Sequence, residues 1–140
     1  MTYLDTIREH LLEHIGSLEL IPIVTIGFQP DAPDVVVTLL ESSGGAGLHE
    51  ISGTRPVWEN VMLQALTRAN SYPEAHGLAM QVQEALRPFM LAQGEIVRLK
   101  PEQSPTHIGQ DERERVLFSQ NFRLWLERIA PALAQPGGME

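Results

Sequence analysis

Val57-Trp-Glu-Asn-Val-Met-Leu-Gln-Ala-Leu-Thr-Arg-Ala69 decides how the rest of the chain can be arranged. Two periods compete in it. Alternation places Val57, Glu59, Val61, Leu63, Ala65 and Thr67 on one face, with Trp58, Asn60, Met62, Gln64, Leu66 and Arg68 on the other. A helical period collects only Val57, Val61 and Leu66, a looser stripe. Period two describes a strand whose faces meet different surroundings. The segment is long for a strand, so it is expected to extend past a core sheet toward neighbouring subunits.

Residues 116–128 (VLFSQNFRLWLER) repeat the pattern, with Val116, Phe118, Phe122, Leu124 and Leu126 on one side. A helix is the alternative for both segments. Trp58 and Trp125 each fall opposite the more apolar side of their strand. That position suits either a subunit interface, where amphipathic aromatics concentrate, or a partly covered sheet face.

Outward from these, the elements are shorter and plainer. Leu4, Ile7, Leu11 and Ile15 form one stripe of an amphipathic helix over 3–15, with Thr2 as N-cap and Gly16 as stop. Residues 22–28 (PIVTIGF) and 34–41 (DVVVTLLE) are short β-branched runs separated by Pro-Asp-Ala-Pro, and read as two strands. Ser42–Pro56 is a glycine-containing loop. Ser71 or Tyr72 caps a second helix, Pro73 suits its first turn, and Ala75, Leu78, Ala79, Val82, Leu86 and Phe89 trace its apolar face. Glu95–Lys100 alternates as a strand, and Pro101–Arg113 reads as a polar loop.

The expected architecture is α+β: a mixed or mainly antiparallel sheet of about five strands with two amphipathic helices packed on it. One domain is expected over 1–130, with 131–140 a flexible tail.

Composition narrows the function. The 140 residues are 43% hydrophobic and 20% charged, which is ordinary for a globular chain and unlike a disordered, collagenous or coiled-coil one. Ten basic against eighteen acidic residues leave a net charge of −8. That balance argues against a protein whose main task is gripping nucleic-acid phosphates. With no cysteine, disulfides, thiolate metal sites and thiol nucleophiles are excluded. Lys100 is the single lysine beside nine arginines, which fits either codon bias or extensive protein–protein surface. Met1–Arg8 lacks the apolar core of a signal peptide, and the longest apolar runs, Leu20–Val24 and Val35–Leu40, are strand-sized. A soluble chain that stays in the cytosol where it is made, without membrane contact, is the expectation.

Few motifs suggest chemistry. His10-Leu-Leu-Glu-His14 matches the inverted zinc-protease pattern, in which two His four apart share a helix face and Glu13 would act as base. On a helical wheel, however, both histidines border the apolar stripe while Glu13 points away. A third ligand, Glu84 or Glu95, is selected by nothing. His10 and His14 therefore stand as metal candidates of low weight, behind a structural role. Gly45-Ala-Gly47 lacks the third glycine and following helix of a dinucleotide site, and no P-loop lysine follows. No G-x-S-x-G elbow occurs. Asp111-Glu-Arg-Glu-Arg115 is either a solvated turn with internal ion pairs or a contact between subunits.

Three further stretches act together. They are Asp34-Val-Val-Val-Thr-Leu-Leu-Glu-Ser-Ser-Gly-Gly45, Leu66-Thr-Arg-Ala-Asn-Ser-Tyr-Pro-Glu-Ala75, and Pro105-Thr-His-Ile-Gly-Gln-Asp111 followed by Arg115 and Ser119–Leu124. In this order they resemble the minor capsid or tail-terminator family of tailed bacteriophages and prophages, over about residues 5–128. The resemblance implies a non-enzymatic α+β subunit without cofactors, assembling as a ring, commonly hexameric. Such a ring caps the head-proximal end of the tail tube and joins it to the head. The implied partners are further copies of itself, the major tail tube protein and a head connector or neck protein, with no sequence-specific nucleic acid. The implied location is the virion tail, after synthesis in the bacterial host cytoplasm. By motif position, Arg68, Asp111 and Arg115 are implied to shape loops or interfaces. The long Pro101–Arg113 stretch and Pro-rich tail depart from the family pattern and keep a head-completion or neck protein as the alternative. From other classes, a small zinc-dependent hydrolase using His10 and His14, and a ligand-binding module with Ser42–Pro56 as lid, complete the readings.

Overall fold

A computed structural model describes residues 3–15, 22–42, 48–49, 56–87 and 96–127. The elements in chain order are α1 (Tyr3–His14), β1 (Ile23–Ile26), β2 (Val36–Ser42), β3 (Leu48–His49), β4 (Pro56–Ala69), α2 (Tyr72–Leu86), β5 (Ile96–Pro101), β6 (Thr106–Gln110) and β7 (Val116–Glu127). They build an α+β domain with one seven-stranded sheet in the order β1-β2-β4-β7-β5, with β3 added on β4 and β6 on β7. Only the β1–β2 pairing is parallel among the described strands.

The sheet is organised around β4 and β7, which pair without interruption from Trp58↔Glu127 to Ala69↔Val116. Both ambiguous segments are therefore strands. Their length does not make a free-standing projection. On one side β2 covers Met62–Arg68 and β3 meets β4 near Trp58. On the other side β6 and β5 lie end to end along β7, β6 on Val116–Ser119 and β5 on Phe122–Leu126.

Two strands exceed the sequence expectation of about five. β6 lies within the stretch read as a polar loop. It escapes periodicity because it is exposed on both faces apart from a half-covered Gly109. Its register also shifts between His107 and Gly109, where Gly109 takes φ +119°. Backbone pairing to β7 makes it a strand, and pairing leaves no hydrophobic signature. β3 is two residues long, inside the expected Ser42–Pro56 loop. Residues 43–47 and 50–55 of that loop, Phe89 and the expected tail lie outside the described residues.

Alternation gives the sheet two unlike faces. Val37, Leu39, Val61, Leu63, Ala65, Phe122, Leu124 and Leu126 are buried against Tyr3, Ile7 and Leu11 of α1 and Leu78, Val82 and Leu86 of α2. Each large side chain so buried contributes about 1.5–3 kcal/mol, enough to fix the register, since a one-residue slip would turn the whole set outward. Polar contacts also hold the helices in place, among them Arg8 Nε of α1 donating to Val24 O of β1 at 2.7 Å. Gln120 Nε2 donates to Ala79 O at 2.8 Å from β7 to α2. His10 Nε2 lies 2.7 Å from Ala85 O, joining α1 to the last turn of α2. Ser71 caps α2 by accepting from the Glu74 N–H at 3.3 Å, and Pro73 sits in the first turn as the sequence predicts.

The opposite face carries Thr25, Val36, Thr38, Gln64, Arg68 and Ser119, with no described helix over it. Because β1 and β2 run parallel, residues 27–35 must travel back along the sheet between them. Gly27 opens this return at φ +81°, which glycine adopts without a Cβ clash, and its N–H donates to Leu39 O at 2.8 Å. The return segment meets Arg68, and so lies on the helix-free side.

Candidate functional site

The segment 27–35 and the β6–β7 turn come together around two arginines. Arg68 is the last residue but one of β4 and lies on the helix-free face, where it is 3% exposed. Its Nε donates to Asp34 O at 2.9 Å and its Nη2 to Pro33 O at 2.6 Å. Both acceptors are uncharged, so the guanidinium is buried against carbonyl dipoles. Burial, and then repulsion from Arg115, push its pKa below the usual arginine value, while Asp111, Asp31 and Asp34 pull the other way.

Arg115 works from the turn. Its Nε donates to Asp111 Oδ2 at 2.8 Å, its Nη1 to Asp31 O at 2.6 Å and Asp34 Oδ1 at 3.1 Å, and its Nη2 to Asp31 Oδ1 at 3.0 Å. Burial alone would lower its pKa, but the hydrogen bonds to Asp31, Asp111 and Asp34 outweigh it and raise the value. Arg113 adds a more exposed pair to Asp31 Oδ2 at 2.8 Å.

Asp111 builds the turn itself. Its Oδ1 accepts the backbone N–H groups of Arg113 and Arg115, each at 2.9 Å. Its own N–H donates to Arg115 O at 3.0 Å, and Glu114 adopts a left-handed φ of 62° to close the loop. Burial would raise the Asp111 pKa, but the two amide donors and the Arg115 guanidinium overcome that and hold it below the usual carboxylate range.

The charged run Asp111–Arg115 is thus a hairpin turn whose first and last residues lock each other and reach into the 27–35 segment. Arg68, Asp111 and Arg115 share one network. Sequence reasoning missed its other half, Asp31 and Asp34, which sit in Pro30-Asp-Ala-Pro-Asp34. The usable signal was two aspartates in a rigid turn with no cation nearby in sequence. Phe28, 71% exposed, stands at the rim of the same cleft, of about 680 Å³, which Gln29, Asp31, Arg68, Gln110 and Arg113 help to line.

The remaining candidates lie elsewhere. Trp125 is half-buried on the helix-free face opposite Asn60, and Trp58 pairs in register with Glu127 and Leu48. His10 and His14 stack at 4.2 Å between centroids, with His14 Nδ1 2.7 Å from His10 O. One ring nitrogen of each is directed at a backbone carbonyl. Among the described residues no three His, Asp or Glu side chains gather as a cation site. A second aromatic group, Tyr72, His76 and His107 around Phe118, has ring separations of 5.1–6.2 Å. No helix in the described residues is long and apolar enough to cross a membrane.

The polar groups at this site fix backbone segments to one another: Arg68 and Arg115 tie the 27–35 segment to β4 and to the β6–β7 turn. A family model described as bacteriophage tail terminator protein matches residues 11–128. The chain belongs to the bacteriophage tail terminator family, and so is a structural component of phage tail assembly and of the virion tail. A search among characterised proteins finds no match.

Proposed function

We propose that this chain forms a homo-oligomeric ring, most simply a hexamer, that caps the head-proximal end of the tail tube and provides the surface that joins the head. The observation that carries the reading is the family match over residues 11–128. The network of Arg68, Asp111 and Arg115 supports it, because it fixes the 27–35 segment and the β6–β7 turn into one preset surface. The chemistry asked of the chain is geometric. A heterologous contact that closes on itself consumes the lateral surface. One face of the ring then matches the last tube layer and the other a head connector. No cofactor or catalytic residue takes part, and the net charge of −8 suits a ring through which DNA slides without adhering.

The test is assembly with the chain withheld and restored. Without it, tail tubes should grow past their normal length and fail to join heads. Added back, it should decorate one tube end as a ring in electron micrographs. Normal tube lengths in its absence, or binding to heads alone, would refute the terminator reading, and the second outcome would favour a head-completion or neck protein.

A further inference from the structure

Two unlike features lie on opposite sides of the sheet. On the helix-free side, Phe28 projects from the 27–35 segment at 71% exposure, more than any other large apolar side chain of the described residues. The segment that carries it is anchored on both sides: the Gly27 N–H donates to Leu39 O before it, and after it Arg68 bonds the Pro33 and Asp34 carbonyls and Arg115 bonds Asp31 and Asp34. An exposed aromatic on a rigid loop loses little freedom when it docks. On the helix side, α1 and α2 leave a groove of about 460 Å³ between them, lined by His10, His14, Gly77, Met80, Glu84 and Ala85. Its surface is mainly apolar, Met80 lies open at 37% exposure, and the space above Gly77 is empty to at least 4 Å from where a Cβ would sit. A cavity of about 150 Å³ already holds a benzene ring, so the groove has room for a phenyl group.

We infer that Phe28 of one copy seats in the α1–α2 groove of the next copy. The inference rests on the ring reading above and supplies its contact. Charge supports the pairing. Arg113 lines the same cleft as Phe28 and Glu84 lines the groove, each about 60% exposed and paired with a similarly exposed partner, Asp31 and Arg87 respectively. Such surface pairs exchange at little cost, so Arg113 can reach Glu84 across the contact. Geometry supports it too. Knob and groove occupy different faces, so the contact is heterologous and propagates head to tail, as closure into a ring requires.

The cysteine-free sequence gives a direct test. R113C and E84C, which leave Phe28 and the groove intact, are prepared separately; both side chains are about 60% exposed, so both variants should melt like the parent. They are oxidised alone and mixed, free in solution and on tail tubes. The expected result is a covalent dimer in the mixture, not in either variant alone, and a ladder ending at the ring number in the double variant. In parallel, Phe28→Ala should weaken self-association about 30-fold, and Gly77→Leu should block it by filling the groove. Oligomers that form without this cross-link overturn the contact and leave the ring reading intact. Dimers formed equally by a single variant overturn it in favour of a symmetric contact. Absence of any oligomer, on tubes as well as in solution, overturns both.

Discussion

Replacing Arg68 by methionine tests whether the 27–35 segment is held as described. Methionine keeps most of the apolar stem and removes the charge. Two charge-assisted bonds to carbonyls disappear, at 2.9 and 2.6 Å in the parent. At about 1.5–3 kcal/mol each, their loss would cost about 3–6 kcal/mol. Three effects offset part of it. The guanidinium no longer has to be buried, its repulsion with Arg115 vanishes, and the freed carbonyls regain water beside the half-exposed Asp34. The net expectation is a destabilisation of about 2–3 kcal/mol. For a domain of this size that moves the urea midpoint down by roughly 1–2 M with an unchanged slope. Arg68→Lys should recover little, because an ammonium cannot present the same planar fork to both carbonyls. Amide exchange should speed up around residues 31–34 before the β4–β7 centre is affected. A midpoint within about 0.5 kcal/mol of the parent, the range of an ordinary surface change, would refute the argument that Arg68 mounts the segment.

Other outcomes follow from the same geometry. Leu63→Ala should cost about 3–4 kcal/mol in urea unfolding, whereas Gln64→Ala, one residue on and across the sheet, should cost less than about 1; equal effects would contradict the register. Because the folded Asp111 pKa is depressed, its contribution to stability is complete above the ordinary carboxylate range, near pH 4, and is lost as pH falls through the lower folded value. Asp111→Asn should therefore flatten the acid limb of the stability–pH curve, and an unchanged limb would count against the turn network. His10→Ala should loosen α1 from α2 at a cost of about 1 kcal/mol. Added zinc should leave the parent's melting temperature unchanged, since one ring nitrogen of each of His10 and His14 already faces a backbone carbonyl; a metal-dependent rise would revive a metal site.

The fold was legible wherever burial wrote a period into the chain. The apolar stripe of α1 at Ile7 and Leu11, the capped start of α2 at Ser71 and Pro73, and the alternating runs of β4 and β7 each have one face in the core. β6 left no such trace, because both its faces meet solvent and only β7 backbone groups define it. The candidate site was half legible. Arg68, Asp111 and Arg115 were reached through resemblance to a family, and that resemblance could not say what they bind.

By itself, then, the sequence determined an acidic, cysteine-free α+β chain with two helices and membership of a tail-assembly family, and it left the two long segments between strand and helix. What it determined is carried by composition, by motif order and by the local apolar period of each helix. Only the tertiary structure decided that Asp31 and Asp34 meet Arg115, more than eighty positions away, and that Arg68 grips the Pro33 carbonyl. It also placed Phe28 and the α1–α2 groove on opposite sides of the sheet. Such pairings depend on which strands lie side by side and which way a connection returns, and hydrophobic periodicity does not encode either.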